Sequence, residues 1–238
     1  MKLEQISQKR KTLGDQAYIV IRDAIIFLKF EPGQMIYENE LAQSLGTSRT
    51  PIREAFRLLQ AEELIEIFPQ KGALVSLISR KKVEETRFVR ESLEISAFRK
   101  AAREWDPSDE QCRALARHIQ NLLKEQKDAA EAKDHARFLE LDEAFHLAVL
   151  ERAGNQTLIA VIKQMRAHIN RVRYLELRET GHAKDLVRHH EEIFRAVSAN
   201  DEEDTEKRLL EHLRYLPYDN PRLIEKFPSY FKMDGFMN

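Results

Sequence analysis

A chain of 238 residues, 42% hydrophobic and 33% charged, carries enough apolar material for one large domain or two smaller ones, and a formal net charge of -1 excludes a protein that coats nucleic acid through a general basic field. No apolar run approaches the ~20 residues of a membrane span, and the opening MKLEQISQKRK lacks the apolar segment of a secretory leader, so a soluble cytoplasmic protein with no membrane partner is expected. The single cysteine, Cys112, excludes an internal disulfide framework and any multi-cysteine zinc module.

A first helix is predicted over residues 15–30, where Tyr18, Ile21, Ile25 and Leu28 recur at helical spacing before Pro32 and Gly33 end the pattern. Residues 38–45 (ENELAQSL) form a short second helix that Gly46 closes. A third spans residues 48–62, followed by two short strands in LIEIFPQKGALVSL around a turn at Pro69 to Gly72. Residues 77–82 lack periodicity and read as a linker. Beyond them helices are predicted at 81–103, 107–131, 134–152, 155–177, 183–199 and 201–215, with breaks at Ala153-Gly154-Asn155, Thr180-Gly181 and Asn200-Asp201. The reading is therefore a mainly α chain: a mixed helix-and-hairpin domain over 1–76, an all-helical domain over 83–216 and a tail over 217–238, whose Phe227, Tyr230 and Phe231 are expected to pack.

The stretch GTSRTPIREAF, residues 46–56, places a proline and two arginines at the start of the third helix. Ile52, Ala55, Phe56 and Leu59 share one apolar face, so Arg49, Thr50 and Arg53 point away from it. Pro51 is tolerated only in a first turn, where its missing N–H has no partner to lose, and Ser48 or Thr50 can cap that turn. Free N–H groups, hydroxyls and guanidiniums at one helix end suit phosphate and guanine edges together. A solvated basic helix face would explain two arginines alone. Two helices joined at Gly46, followed by a hairpin with Lys71 near its tip, make instead a winged helix-turn-helix.

The segment PGQMIYENELAQSLGTSRTPIREAFRLLQAEELIEIFPQKGALV resembles the winged helix-turn-helix of the GntR family of bacterial transcription regulators. The landmarks are the Pro-Gly before the second helix, ELA within it, Ser-Arg-Thr-Pro-Ile-Arg-Glu-Ala, the following Leu-Leu and the wing glycine. That resemblance implies operator contacts by Arg49, Thr50 and Arg53, with Lys71 and Gly72 approaching the minor groove. Asn39 stands where some relatives place an arginine, and Ser48 joins the candidate DNA-binding set.

Four polar residues lie on apolar stripes farther along. Asp142 and His146 sit one turn apart between Phe138, Phe145 and Val149; His190 is centred among Leu186, Ile193, Phe194 and Val197; His212 lies among Leu209, Leu213 and Leu216. A single inward histidine reads as a satisfied core residue, but a lone buried carboxylate is costly unless paired or metal-bound. By pattern alone the four serve either as polar core groups or as ligands of a divalent cation, with zinc or nickel suited to one carboxylate and three imidazoles.

The helical remainder resembles the FCD effector-binding domain of the FadR-type GntR subfamily, through Arg-Glu-x-Leu-Glu at Arg90 to Glu94, Asp-x3-His-x7-Gly-Asn at Asp142 to Asn155, His-x2-Ile at His190, and His212. The resemblance implies a divalent metal on Asp142, His146, His190 and His212, and a small carboxylate or sugar-acid effector reaching it. Arg90 and Arg173 are candidate clamps for that effector; the alternative for each is a surface salt bridge, such as Arg90 with Glu94. The expected function is a ligand-responsive regulator that binds a pseudo-palindromic double-stranded operator as a homodimer and is not an enzyme. Two alternatives are a regulator that senses the metal itself and a metal-dependent hydrolase or lyase, for which Glu143, about a hundred degrees around the helix from Asp142, is a poor general base.

Overall fold

The computed structural model of the chain describes residues 12–216 and 220–232; the opening segment and parts of the tail lie outside the described residues. The chain divides into two compact units, one running to Ile78 and including residues 229–232, the other spanning 79–228.

The first unit begins with helix α1, Leu13–Ile26, where the Thr12 hydroxyl accepts from Asp15 N–H and the Asp15 carboxylate accepts from Thr12 N–H. The expected 15–30 helix is shifted and shortened at its far end. Leu28 takes φ 54°, and the N–H groups of Lys29 and Phe30 return to the Ala24 carbonyl at 2.8 and 3.0 Å, closing the helix early. Leu28 is still buried, so the periodicity reported its burial but not its backbone.

Strand β1 (Met35–Ile36), helix α2 (Glu38–Ser44), helix α3 (Arg49–Ala61) and strands β2 (Ile65–Phe68) and β3 (Gly72–Val75) complete this unit. The α1 and α3 helices pack together through Ile21, Ile25, Ile52, Phe56 and Leu59. Burying each such side chain contributes roughly 1.5–3 kcal/mol. Gly14 lets the two helices approach: a Cβ there would stand 3.2 Å from that of Glu54. Glu62, capping α3, accepts from the Tyr18 hydroxyl and from Arg22 Nε at 2.9 Å, which ties the same two helices at their other end.

The expected two-stranded wing is a three-stranded antiparallel sheet in the order β1-β3-β2, with Ile36 opposite Ala73 and Phe68 opposite Gly72. A two-residue strand is too short to show alternation, which hid β1. The wing turn bonds Lys71 N–H to the Phe68 carbonyl at 3.0 Å, with Pro69 leading and Gln70 at φ 62°. Gly72 follows at φ 106°, where a Cβ would lie 2.7 Å from the Ile36 carbonyl oxygen. Any other residue would push β1 off the sheet.

The second unit contains α4 (Arg80–Arg103), α5 (Glu110–Glu131), α6 (His135–Arg152), α7 (Gln156–Thr180), α8 (Ala183–Ser198), α9 (Glu202–Tyr215) and α10 (Pro221–Lys226). Side chains of Asp109, Asp134, Asn155 and Asp201 cap four of these helices by accepting backbone N–H bonds. The α4 helix starts inside the stretch read as a linker, because the Ser79 hydroxyl accepts from Lys82 N–H. Ile78, just before it, is also bonded: its N–H donates to the Tyr230 carbonyl at 2.8 Å and its carbonyl accepts from Lys232 N–H at 2.9 Å. Phe231 is buried beside it. The tail thus adds a short strand-like segment to the first unit, while α10 stays with the second, where Asn220 bonds to Glu176 at 3.2 Å.

Candidate metal centre and nucleic-acid interface

At the start of α3 the backbone turns from an extended Ser48, whose hydroxyl makes no capping bond, and Pro51 falls at the third helical position. Arg49, Thr50 and Arg53 are exposed, as are Ser48, Asn39 and Lys71, while Gly72 is half-buried. Asn39, Arg49, Arg53, Gln70, Lys71 and Gly72 line one concave surface between the start of α2, the start of α3 and the wing turn. Ser48 and Thr50 do not line it. Glu38 sits among these cations: Arg49 Nε and Nη2 donate to its Oε2 at 3.3 and 3.2 Å, and Arg53 Nε donates to the same oxygen at 2.8 Å.

In the second unit Asp142 and His146 from α6, His190 from α8 and His212 from α9 place one ligand-type atom each within 4.8 Å of one another. Asp142, His146 and His190 are fully buried and His212 is 4% exposed. His146 Nε2 lies 3.0 Å from His212 Nε2, which lies 3.2 Å from His190 Nε2, and His190 Nε2 lies 3.3 Å from Asp142 Oδ1. Metal–nitrogen bonds of about 2.0–2.1 Å put ligand nitrogens about 3.3 Å apart in a tetrahedral site and about 2.9 Å apart in an octahedral one. Asp142 Oδ2 is buried without a hydrogen-bond partner. Converging ring nitrogens and an orphaned carboxylate oxygen in a dry interior fit a divalent cation, which would satisfy all of them at once.

Burial alone would raise the Asp142 carboxyl, but the Arg173 guanidinium and then His190 and His146 hold it well below the usual carboxylate range. Burial pushes His146 down to about 4 against the opposing pull of Glu94, and burial followed by the neighbouring His190 and His146 lowers His212 well below the ordinary imidazole value. Neutral imidazoles and an ionised carboxylate are the forms that ligate metals.

Both arginines expected to meet an effector are held by protein carboxylates. Arg173 Nη2 donates to Asp142 Oδ1 at 2.7 Å, and Arg90 Nε donates to Glu94 Oε1 at 2.8 Å. The Arg90–Glu94 pair lies in the interior, with side chains 5% and 0% exposed, where an i, i+4 surface pair was the alternative expectation. Glu94 Oε1 also accepts from Arg166 Nη2 at 3.1 Å, while its Oε2 lies 2.7 Å from His146 Nδ1, off the line of an ideal N–H···O bond. Gln126 of α5 places Oε1 2.7 Å from His190 Nδ1 and donates through Nε2 to the Leu141 carbonyl at 3.0 Å. Sequence reasoning missed Glu94, Gln126 and Arg166 as neighbours of the cluster; the only signal was a Glu on the buried side of a helix. It also missed Arg171, which burial pushes down to about 10. Glu143 accepts from Asn170.

Residues 13–75 match the model of the gntR family of bacterial regulatory proteins, and residues 85–215 match that of the FCD domain. An uncharacterized HTH-type transcriptional regulator in an unstable DNA locus of Streptomyces ambofaciens is 31% identical over 218 residues, covering 92% of this chain and 89% of its own. The HTH-type transcriptional repressor RspR of Escherichia coli K12 is 31% identical over 214 residues, with 90% and 91% covered. Among solved structures, E. coli McbR/YncC shares the fold at TM-score 0.77 and 22% identity, covering 91% of this chain and 99% of that one. A GntR regulator from Rhodococcus sp. RHA1 does so at TM-score 0.69 and 20% identity, with 91% and 98% covered. These relatives are transcription regulators rather than enzymes, which removes the hydrolase alternative. With a family model matched over each unit and relatives aligned along nine-tenths of its length, the chain belongs to the gntR family of bacterial transcription regulators and carries an FCD domain.

Proposed function

We propose that the protein is a cytoplasmic, ligand-responsive regulator that binds a pseudo-palindromic operator as a homodimer, its operator affinity set by a small carboxylate or sugar acid in a metal-containing pocket. The buried convergence of Asp142, His146, His190 and His212 carries this reading. Those residues would hold Zn²⁺ or Ni²⁺, and such a cation supplies a Lewis-acidic docking point for an effector oxygen. Arg173, already at the Asp142 carboxylate, is the candidate to meet a second effector oxygen, whereas Arg90 serves the site through Glu94.

On the DNA side, Arg49 and Arg53 are the base-reading or phosphate-neutralising cations, Thr50 and Ser48 give hydroxyls to phosphate, Asn39 reaches in from α2, and Lys71 and Gly72 bring the wing to the adjacent minor groove. The concave surface shared by Asn39, Arg49, Arg53, Lys71 and Gly72 supports that part of the set. Two copies would present their α3 helices about 34 Å apart. The effector acts only by binding one arrangement of the dimer more tightly than another.

Thermal melting of the metal-loaded protein against a panel of small carboxylates and sugar acids, beside Asp142→Ala/His146→Ala, tests the pocket. A ligand at a hundredfold excess over Kd raises stability by about 2.7 kcal/mol, and that rise should vanish in the double variant. No shift from any acid removes the effector reading. Full burial of three of the four ligands favours a second reading, in which the metal is itself the signal; it requires operator affinity to change with free metal alone.

A further inference from the structure

Hydrogen-bond roles around the cluster can be assigned from its neighbours. Gln126 is fixed in orientation, because flipping its amide would set Oε1 against the Leu141 carbonyl that Nε2 now donates to. Its Oε1 therefore faces His190 Nδ1, and a neutral imidazole opposite an acceptor must carry its proton on Nδ1. Glu94 is ionised, with Arg90 and Arg166 on Oε1, so the Nδ1 of His146 beside Oε2 carries that ring's proton too. A neutral ring has one proton to give, and at His190 the 2.7 Å contact to Gln126 takes it ahead of the 3.3 Å contact between Nε2 and Asp142 Oδ1, an oxygen that already accepts from Arg173 Nη2 at 2.7 Å; both rings then turn Nε2 lone pairs inward. His212 differs: its Nε2 faces those two lone pairs at 3.0 and 3.2 Å, and its Nδ1, buried and without a hydrogen bond like that of His146, has no carboxylate paired with it among the described residues. Without a cation its proton belongs on Nε2, shared between two acceptors.

Resting on the metal reading above, we propose that Glu94 and Gln126 are the positioning residues of the centre, locking His146 and His190 in the tautomer that ligates through Nε2, and that His212 is the ligand whose proton moves. For His212 to ligate through Nε2, its proton would have to move to Nδ1, which would leave the ring neutral with no net charge gained or lost. Outer partners of metal-bound histidines commonly govern metal affinity by about 10–100-fold. The three histidines are graded by them: His146 is backed by a carboxylate, His190 by an amide oxygen, and His212 by neither.

The test uses the full chain with ¹⁵N-labelled histidine, read by long-range ¹H–¹⁵N correlation before and after Zn²⁺, beside zinc affinity from chelator competition for wild type, Gln126→Met and Glu94→Gln. Expected are Nδ1–H rings at His146 and His190 throughout, an Nε2–H ring at His212 that becomes Nδ1–H on adding zinc, and about 10–100-fold weaker zinc binding in each variant. Glu94→Gln leaves two buried arginines short of charge and can fail to fold; Gln126→Met then carries the affinity arm. An Nε2–H ring at His190 in the metal-free protein, or zinc affinity in Gln126→Met within twofold of wild type, overturns the proposal. Wild type that binds no zinc overturns the metal reading instead, while the tautomers of the metal-free protein still decide whether Glu94 and Gln126 position these rings.

Discussion

A triad of one glutamate between two arginines stands at the candidate site of each unit. In the first unit, Arg49 and Arg53 share Glu38; in the second, Arg90 and Arg166 share Glu94. The contacts are alike, 2.8 and 3.2 Å in the first and 2.8 and 3.1 Å in the second. Their surroundings are not. The outer arginines are 54% and 55% exposed around a carboxylate at 24%, whereas the inner ones are 5% and 8% exposed around one at 0%. Water screens the outer triad, so its arginines can leave Glu38 for another anion at little cost. The inner triad has no solvent to fall back on. One arrangement is therefore suited to exchange of partners and the other to holding a geometry.

The largest effect is expected at the inner carboxylate. Glu94→Ala strands two buried guanidiniums, and removing one partner of a buried ion pair costs about 3–5 kcal/mol, to be read from the urea midpoint of the metal-free protein. A loss below about 1 kcal/mol, the scale of an exposed pair, would put Glu94 in contact with water and erase the contrast. Replacing the whole triad, Arg90→Met/Glu94→Leu/Arg166→Met, should cost the fold less than Glu94→Ala alone, since apolar side chains of similar volume need no counter-charge. Zinc affinity should nevertheless fall about 10–100-fold, because His146 has lost the group opposite Nδ1. Separation of the two readouts would show that Glu94 serves the metal ligand and not merely the packing.

The two triads were unequally legible. Arg49 and Arg53 stand in a short local motif whose proline, arginines and apolar face all belong to one helix, so the pattern of that helix alone sufficed to turn them away from the core. Asp142 and His146 were readable for the same reason, as an i, i+4 pair. Glu94 was visible only as a local partner of Arg90. Its link to Arg166 spans 72 residues, and that of Gln126 to His190 spans 64, distances over which periodicity carries no information. Strand β1 was missed because two residues cannot alternate, and the early stop of α1 because a buried leucine keeps helical spacing even with φ 54°. Burial is written into sequence through hydrophobic pattern; polar pairing across helices is not.

At the outer triad the effects pass from stability to binding. Arg49→Ala and Arg53→Ala should each cost about 1–3 kcal/mol in operator affinity if the side chain reads a base, with specificity relaxed at one position. Melting temperature should hardly move, as surface substitutions stay within about 0.5 kcal/mol. Operator titrations at fixed salt check this, and unchanged affinity in both variants would remove α3 as the recognition helix.

The smallest effect is expected at Glu38 itself. An exposed ion pair contributes about 0–1 kcal/mol, so Glu38→Ala should change the stability of the protein by no more than that, against the several kcal/mol expected for Glu94→Ala. The sign need not be unfavourable, because Arg49 and Arg53 lose an attraction but also leave no buried group unsatisfied. Salt supplies a second check. At about 1 M ionic strength the screening length falls to about 3 Å, comparable to the contacts at Glu38, so the difference between wild type and variant should shrink. The corresponding difference for Glu94→Ala should persist in the same salt, since ions do not penetrate the helical interior. A Glu38→Ala loss above about 2 kcal/mol that survived high salt would mean that the outer triad is dry, and its arginines would then be structural groups, poorly placed to exchange a carboxylate for a phosphate.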